Sequence, residues 1–443
     1  MKNVLFVADC FTGGGLETRI VEQIKILKRK RIRFYLLCNK FNPIYKKYFA
    51  EVSESLKLND RLQKISANDV LTDVDTICNF CVKYDIDYID CHPSMCILPA
   101  VLAAERVNTP ISFTLHGVAS GDFITNPNHL PGRTLYHLAI NYGFDKYFAV
   151  AEYLTTLYSF LTNVSIVRNG SFLNSIKYRG FKNTRAVAIA SRLDVVKAQL
   201  VIDFLPSVYK SKAIDKIDIY GDGDGIHNIK TFVSENHLED KVCIKGWEKD
   251  LSKKLSEGDY MLVFGMGRVV LDAILSGTPV GVLGYGGFAG FVNHSNLQDF
   301  AKDNLTSWET KAELPAELKH LFIKPSDYIF DKKDLDEFNA EAIWQKYYDT
   351  IITIEHSKNE VSQKVFSLLL KNPDADILSD QDLFLEYIRL LADGDRPLSQ
   401  KLFFAIFQKQ FDISEGYKRQ IAEKNAQLRQ KNKPFLKKIL RRN

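Results

Sequence analysis

The chain has 443 residues, 46% hydrophobic and 12% aromatic, enough for two or three separate cores and far from the make-up of a disordered polypeptide. Its net charge of +5 is unevenly placed: residues 418–443 carry ten Lys or Arg against Glu423, or +9, leaving the rest at −4, so the body gives no compositional case for nucleic acid. Seven scattered cysteines, with no secretory signal ahead of them and no run of about 18 apolar residues, exclude a disulfide scaffold and a spanning helix and point to a reduced cytoplasmic setting. Residues 4–8 then read as a buried strand, followed by the glycine turn Thr12-Gly-Gly-Gly15 and a helix with Leu16, Ile20, Ile24 and Leu27 on one face. Further strands are predicted at 34–38, 88–91, 111–115 and 147–150, separated by helix-length segments such as 99–106, with a last strand at 165–167. This alternation predicts an α/β domain with a doubly wound parallel sheet, ending near the Asn169-Gly170 turn and assigned to 1–172.

A second alternating series at 186–190, 217–220, 242–244, 261–264 and 280–282 predicts another such domain over 185–332. Beyond Asp331 the pattern turns helical. Ile343, Tyr347 and Ile351 recur at spacing four, so a helix within 333–354 is expected to pack back across the domains, and 355–443 reads as a helical extension. Cys78-x-x-Cys81 and Cys91-His92 with Cys96 lack two tight ligand pairs at zinc spacings, so no metal site is expected.

The stretch that organises the chain is GMGRVVLDAILSGTPV, residues 265–280. A strand ends in Gly265-Met-Gly267, and Val269, Val270, Ala273 and Ile274 then carry a helical period up to Gly277. Such a helix start leaves amides at the carboxyl edge of a sheet, where the macrodipole favours phosphate, and Asp272 one turn in can accept hydrogen bonds from a ribose. An ordinary β-α-β unit explains the same glycines equally well. Ser191-Arg192-Leu193 ends the first strand of the second domain and Lys197 follows, two cations able to neutralise a leaving diphosphate. A solvated basic loop is the plain alternative. Gly14, Gly15 and Glu17 open the first helix, where Glu17 can also simply offset the dipole. His116-Gly117 closes another strand, either as a functional group or as a packed polar residue. Gly221 and Gly223 form a glycine loop after a strand, and Trp247 follows another as a base platform or a core aromatic.

Together these pieces resemble the retaining glycosyltransferases of family GT4, which have the GT-B fold of two facing doubly wound domains. Gly14, Gly15 and Glu17 are similar to the family's GGxE, His116 and Gly117 to its HG, and Asn169 and Gly170 to its NG. Arg192 and Lys197 resemble its donor-phosphate pair, Gly221 and Gly223 its GxG loop. Its E-x7-E, followed by A-x-x-x-G-x-P-V, falls on Phe264 to Asp272 and then Ala273, Gly277, Pro279 and Val280. Asp272 replaces the second Glu and can still hold ribose, whereas Phe264 replaces the first and cannot. The loop at Gly265, Gly267, Arg268 and Val269 resembles a variant in bacterial polysaccharide enzymes, where amides at 267–269 meet the diphosphate. The resemblance implies transfer of a sugar from a nucleotide-diphosphate sugar, UDP favoured, to a glycan or lipid-linked acceptor, with retention, without a metal and without a further cofactor. A catalytically silent partner of a glycosyltransferase is the competing reading, and a sugar-nucleotide epimerase or a nicotinamide dehydrogenase lacks the required residues.

In the tail, Phe435, Leu436, Ile439 and Leu440 share a helical face ringed by Lys437, Lys438, Arg441 and Arg442. Residues 434–443 are therefore expected to hold the protein peripherally at an anionic membrane surface, on the inner face of the cell membrane, at about 1 kcal/mol per basic residue. Tyr417, Ile421 and Leu428 are also spaced as a weak coiled-coil seam. The oligomeric state is not legible.

Overall fold

The apolar runs of the first half become strands buried on both faces. In a computed structural model, which describes residues 3–393 apart from 59–63, 122, 125, 174–180, 183, 249 and 310–311, they form a seven-stranded sheet. Its strands are β1 (Asn3–Val7), β2 (Arg33–Leu37), β3 (Glu51–Ser53), β4 (Tyr88–Cys91), β5 (Ile111–Leu115), β6 (Lys146–Ala149) and β7 (Val164–Ile166). They pair in parallel in the order β3-β2-β1-β4-β5-β6-β7. The edge strand β3 escaped the sequence reading because it is half-buried and has no apolar run. The order reverses between β1 and β4, which opens a crevice at their carboxyl ends.

The second sheet comprises β8 (Ala186–Ala190), β9 (Lys216–Tyr220), β10 (Val242–Gly246), β11 (Leu262–Gly265), β12 (Val280–Gly284) and β13 (Gly287–Phe291), ordered β10-β9-β8-β11-β12-β13. Its reversal lies between β8 and β11. β13 pairs antiparallel with β12, a hairpin that the glycine-rich composition of residues 284–290 concealed.

The helix Ala340–Ile351 returns to the first sheet. It buries Ala340, Trp344, Tyr347 and Ile351 among Phe6, Ile20, Ile24, Phe34 and Phe148, so the inward stripe runs through Ala340 and Trp344 while Ile343 is only half-buried. On the opposite face, Val365, Leu369, Leu378, Leu383 and Tyr387 of the extension join the core of the first sheet. The segment is tied down by backbone bonds as well: Ala67 N donates to the Ala375 carbonyl at 3.0 Å and Ile377 N to that of Ile65 at 2.9 Å. Among the described residues no helix is long and apolar enough to cross a membrane. The expected interfacial segment 434–443, and the seam through Tyr417, Ile421 and Leu428, lie outside the described residues.

Candidate active site

The carboxyl edge of the second sheet is built largely from backbone. Gly267, with φ of 59°, starts the helix Arg268–Leu275 without any side-chain cap. Its own amide is not open to a phosphate as expected, because it donates to the Leu305 carbonyl at 2.8 Å. The next two amides, of Arg268 and Val269, have no acceptor within the helix, as at any helix start. Gly265 ends β11, where a β-carbon would meet the Ala190 carbonyl at 2.8 Å, so close strand packing already accounts for this glycine.

Gly221 and Gly223 are explained by the neighbouring loop. At φ of 136° and 149° they bring the backbone so near to Ser191 and Leu193 that a β-carbon would lie 1.8 Å from the Ser191 carbonyl oxygen and 2.5 Å from that of Leu193. Leu193 N donates to the Asp222 carbonyl at 2.9 Å and Gly221 N to that of Gly246 at 2.8 Å. These glycines therefore shape the Arg192 loop and do not present their space to a ligand.

The expected pair of free cations is only half present. Arg192 is exposed, but the Lys197 ammonium folds back onto Asp194 at 2.8 Å, and Asp194 also caps the helix by accepting from Lys197 N at 3.0 Å. Burial opposes the charge on Asp194, yet the bonds and charge of Lys197, with Arg192 nearby, hold its carboxyl below the ordinary range. Phe264 points into the core, with ring centroids 4.9 Å from Phe204 and 5.9 Å from Phe288.

Side chains dominate the edge of the first sheet. Gly14 and Gly15 start the helix Gly15–Leu27, and a β-carbon at Gly15 would meet nothing within 4 Å among the described residues. Glu17 is buried and accepts from the amides of Thr12 and Gly13 at 3.0 and 3.1 Å, so it holds the turn in place beyond any effect on the dipole. His116, half-buried after β5, shares a 2.8 Å hydrogen bond between its Nε2 and Nδ1 of the buried His92, which follows β4. Burial, then the neighbouring His92 and Arg19, push the His116 imidazole well below its ordinary range, so it is neutral near pH 7.

Between the sheets runs a buried polar network that the sequence reading missed. The Arg268 side chain reaches Glu22 at 3.0 Å, Asp272 at 3.1 Å and the Gly170 carbonyl at 2.6 Å. Asp272 is thus turned to a guanidinium instead of standing open for a ribose, because a buried carboxylate takes the nearest available cation. Arg19 donates to the Arg168 carbonyl at 2.9 Å and lies 4.6 Å above the Trp344 ring, whose Nε1 donates to Glu22. Asp90, fully buried, accepts from Tyr347 at 2.5 Å and from Gln23 at 3.3 Å. Asn169 bridges to Asn304 at 2.9 Å, and the pocket they share with Arg168, Gly267 and Arg268 has room for about one water at ≈ 10 Å³. The structure thus brings Glu22, Arg268 and Asp272 together, and His116 with His92, whereas Lys197 is held by its own helix cap. The only sequence signal for the network was polar residues, Arg19, Glu22 and Gln23, on a helix whose opposite positions are apolar, which ordinarily denotes a solvated face.

No protein-family model and no curated protein matches the chain. Solved structures share its fold. HepE of Anabaena, in complex with UDP and glucose, matches at 16% identity over 80% of this chain and 100% of its own, with a TM-score of 0.57. Sucrose-phosphate synthase of Thermosynechococcus elongatus matches at 13% over 83% and 100%, with a TM-score of 0.60. The lipopolysaccharide outer core galactosyltransferase WaaB matches at 13% over 79% and 99%, with a TM-score of 0.56. At these identities the likeness is one of fold: two doubly wound sheets in the GT-B arrangement.

Proposed function

We propose that this GT-B chain is a glycosyltransferase of the retaining, metal-independent kind, drawing on a nucleotide-diphosphate sugar, UDP-sugar first, and delivering to a hydroxyl of a glycan or lipid-linked acceptor for cell-surface polysaccharide. The observation that carries the reading is the pairing of two uncapped helix starts, at Gly14-Gly15 and at Gly267, with the exposed Arg192 at the switch points of two doubly wound sheets. HepE, on the same fold, is in complex with UDP and with UDP-glucose.

In this mechanism the diphosphate lies against the amides of Arg268 and Val269. Arg192 forks onto its oxygens, and Lys197 exchanges Asp194 for phosphate as the donor arrives. The bond from the anomeric carbon to the phosphate oxygen breaks while the acceptor oxygen bonds to the same face of that carbon. The acceptor's proton passes to the departing diphosphate, so no protein nucleophile is required. Arg192 opposes the charge growing on the leaving group, and its removal is expected to cost about 3 kcal/mol of transition-state stabilisation.

Donor consumption and product configuration, followed by NMR with UDP- and GDP-sugars in the presence of a chelator, test this directly. A thermal shift with the right donor comes first, since a ligand at about 100 times its dissociation constant adds about 2.7 kcal/mol. A chain that no nucleotide or nucleotide sugar stabilises does not have this function. Phe264 in the aromatic core and Lys197 on Asp194 favour one second reading, a catalytically silent GT-B partner; it predicts donor binding with neither transfer nor hydrolysis.

A further inference from the structure

Asp90, His92 and His116 form a line running from the buried floor of the first sheet to its open carboxyl edge. Asp90 ends among donors, with Ser112 at 3.3 Å and Thr114 at 3.5 Å beside Gln23 and Tyr347. Among the described residues His92 Nε2 is buried without a hydrogen-bond partner, and Asp90 Oδ1 lies 3.7 Å from it. His92 Nδ1 meets His116 Nε2 at 2.8 Å.

Two neutral imidazoles in contact share one proton between the facing nitrogens, so their tautomers are linked. If His92 carried its proton on Nδ1, a bare Nε2 lone pair would face the Asp90 carboxylate across 3.7 Å, a gap too narrow for a water to stand between them. The opposite tautomer puts N–H toward Asp90 and leaves Nδ1 to accept from His116 Nε2–H. His116 Nδ1 then keeps its lone pair. Among the described residues no hydrogen bond engages that atom, and His116 is only half-buried, with Ser120 Oγ holding its backbone by accepting from the amides of His116 and Gly117 at 2.9 and 3.1 Å.

We infer that Asp90 and His92 are positioning residues that fix His116 in the Nε2–H tautomer, so that its Nδ1 accepts a hydrogen bond from a sugar hydroxyl of the substrate. Neither residue touches substrate; both act through His116. The substrate class rests on the glycosyltransferase reading, whereas the tautomer does not.

Nitrogen-15 NMR of the full wild-type chain reads the tautomer without any turnover. His116 is expected to show a proton-free Nδ1 and a protonated Nε2; a proton on Nδ1 overturns the inference. His92→Leu removes the acceptor, mixes the two tautomers and lowers kcat by about tenfold to a hundredfold with a smaller change in KM. His92→Asn, whose side-chain oxygen takes the place of Nδ1, recovers most of both losses, which lost packing alone would not allow. Unchanged kcat and unchanged nitrogen shifts in a folded His92→Leu variant also overturn it. A wild type with the expected tautomer that turns over no nucleotide sugar counts against the transferase and leaves the tautomer assignment standing.

Discussion

Toward the carboxyl edge of the first sheet, Glu17, His92 and His116 are carried into partly or fully buried positions, Glu17 bonded to loop amides and the two histidines to each other, with Asp90 buried beneath them on Tyr347 and Gln23. At the matching edge of the second sheet, glycines, carbonyls and a helix start occupy the same places in the topology; of the charged side chains there, Arg192 is exposed and Lys197 is paired locally, while Arg268 reaches across to Glu22. One lobe builds its edge largely from buried side chains and the other largely from backbone. The difference explains why glycine motifs reveal the second lobe's edge to a reader of the sequence but say little about the first.

The contact that joins the two should be the most costly to break. Arg268 sits between Glu22 of the first lobe and Asp272 of its own helix, with both carboxylates nearly inaccessible. Burial already pushes the Glu22 carboxyl above its ordinary range despite the guanidinium. Arg268→Met is expected to destabilise the chain by about 3–5 kcal/mol in denaturant unfolding, because it leaves buried charge uncompensated. Adding Glu22→Gln should recover part of that loss. Additive losses in the double variant would mean that the pair does not couple the lobes.

Glycine to alanine sharpens the contrast at the next level of effect. At Gly221 the left-handed φ and the Ser191 carbonyl both oppose a β-carbon, and Gly221→Ala should cost about 1–3 kcal/mol and displace the Arg192 loop. At Gly15, in helical backbone with open space around it, alanine should stabilise by about 0.4–1 kcal/mol. If Gly15→Ala also abolishes nucleotide binding, the open space is where the ligand lies. Equal thermal shifts from the two variants would erase the distinction between a packed loop and an open one.

Much of the architecture was legible because parallel strands buried on both faces read as apolar runs, as residues 4–7, 111–115 and 186–190 do. What escaped has physical causes. Glu51–Ser53 pairs along one side only and so needs no hydrophobic run, while Gly287–Phe291 hides its apolar residues between glycines. Within the candidate site, the glycine positions were legible but two of their reasons were not, since Gly221 and Gly223 pack against a loop some thirty residues earlier in the chain. The pairings of Arg19, Glu22, Asp90 and His92 were not legible because their partners, Trp344, Arg268, Tyr347 and His116, come from other segments that no local period links to them.

The smallest effect lies far from the cleft, where the extension meets the first lobe. His356 Nδ1 lies 3.1 Å from Asp145, Nε2 lies 3.4 Å from Glu105, and Asn359 N donates to Glu105 at 3.0 Å. The hydrogen bond from His356 to Asp145 raises the imidazole above its ordinary value of 6.5, and burial only partly opposes it. A raised folded value means that the native chain holds this proton more tightly than the unfolded chain does, so the contribution to stability is full below about pH 6.5 and disappears as pH climbs through the folded value. Unfolding followed across that window should show the wild type losing stability on the alkaline side, with the extension released before the sheets. His356→Gln keeps a donor but cannot gain charge, so its profile should be flat there. A wild-type profile as flat as that of His356→Gln would mean that the extension is held by Val365, Leu369 and Leu378 in the core alone, with the imidazole contributing shape and no charge.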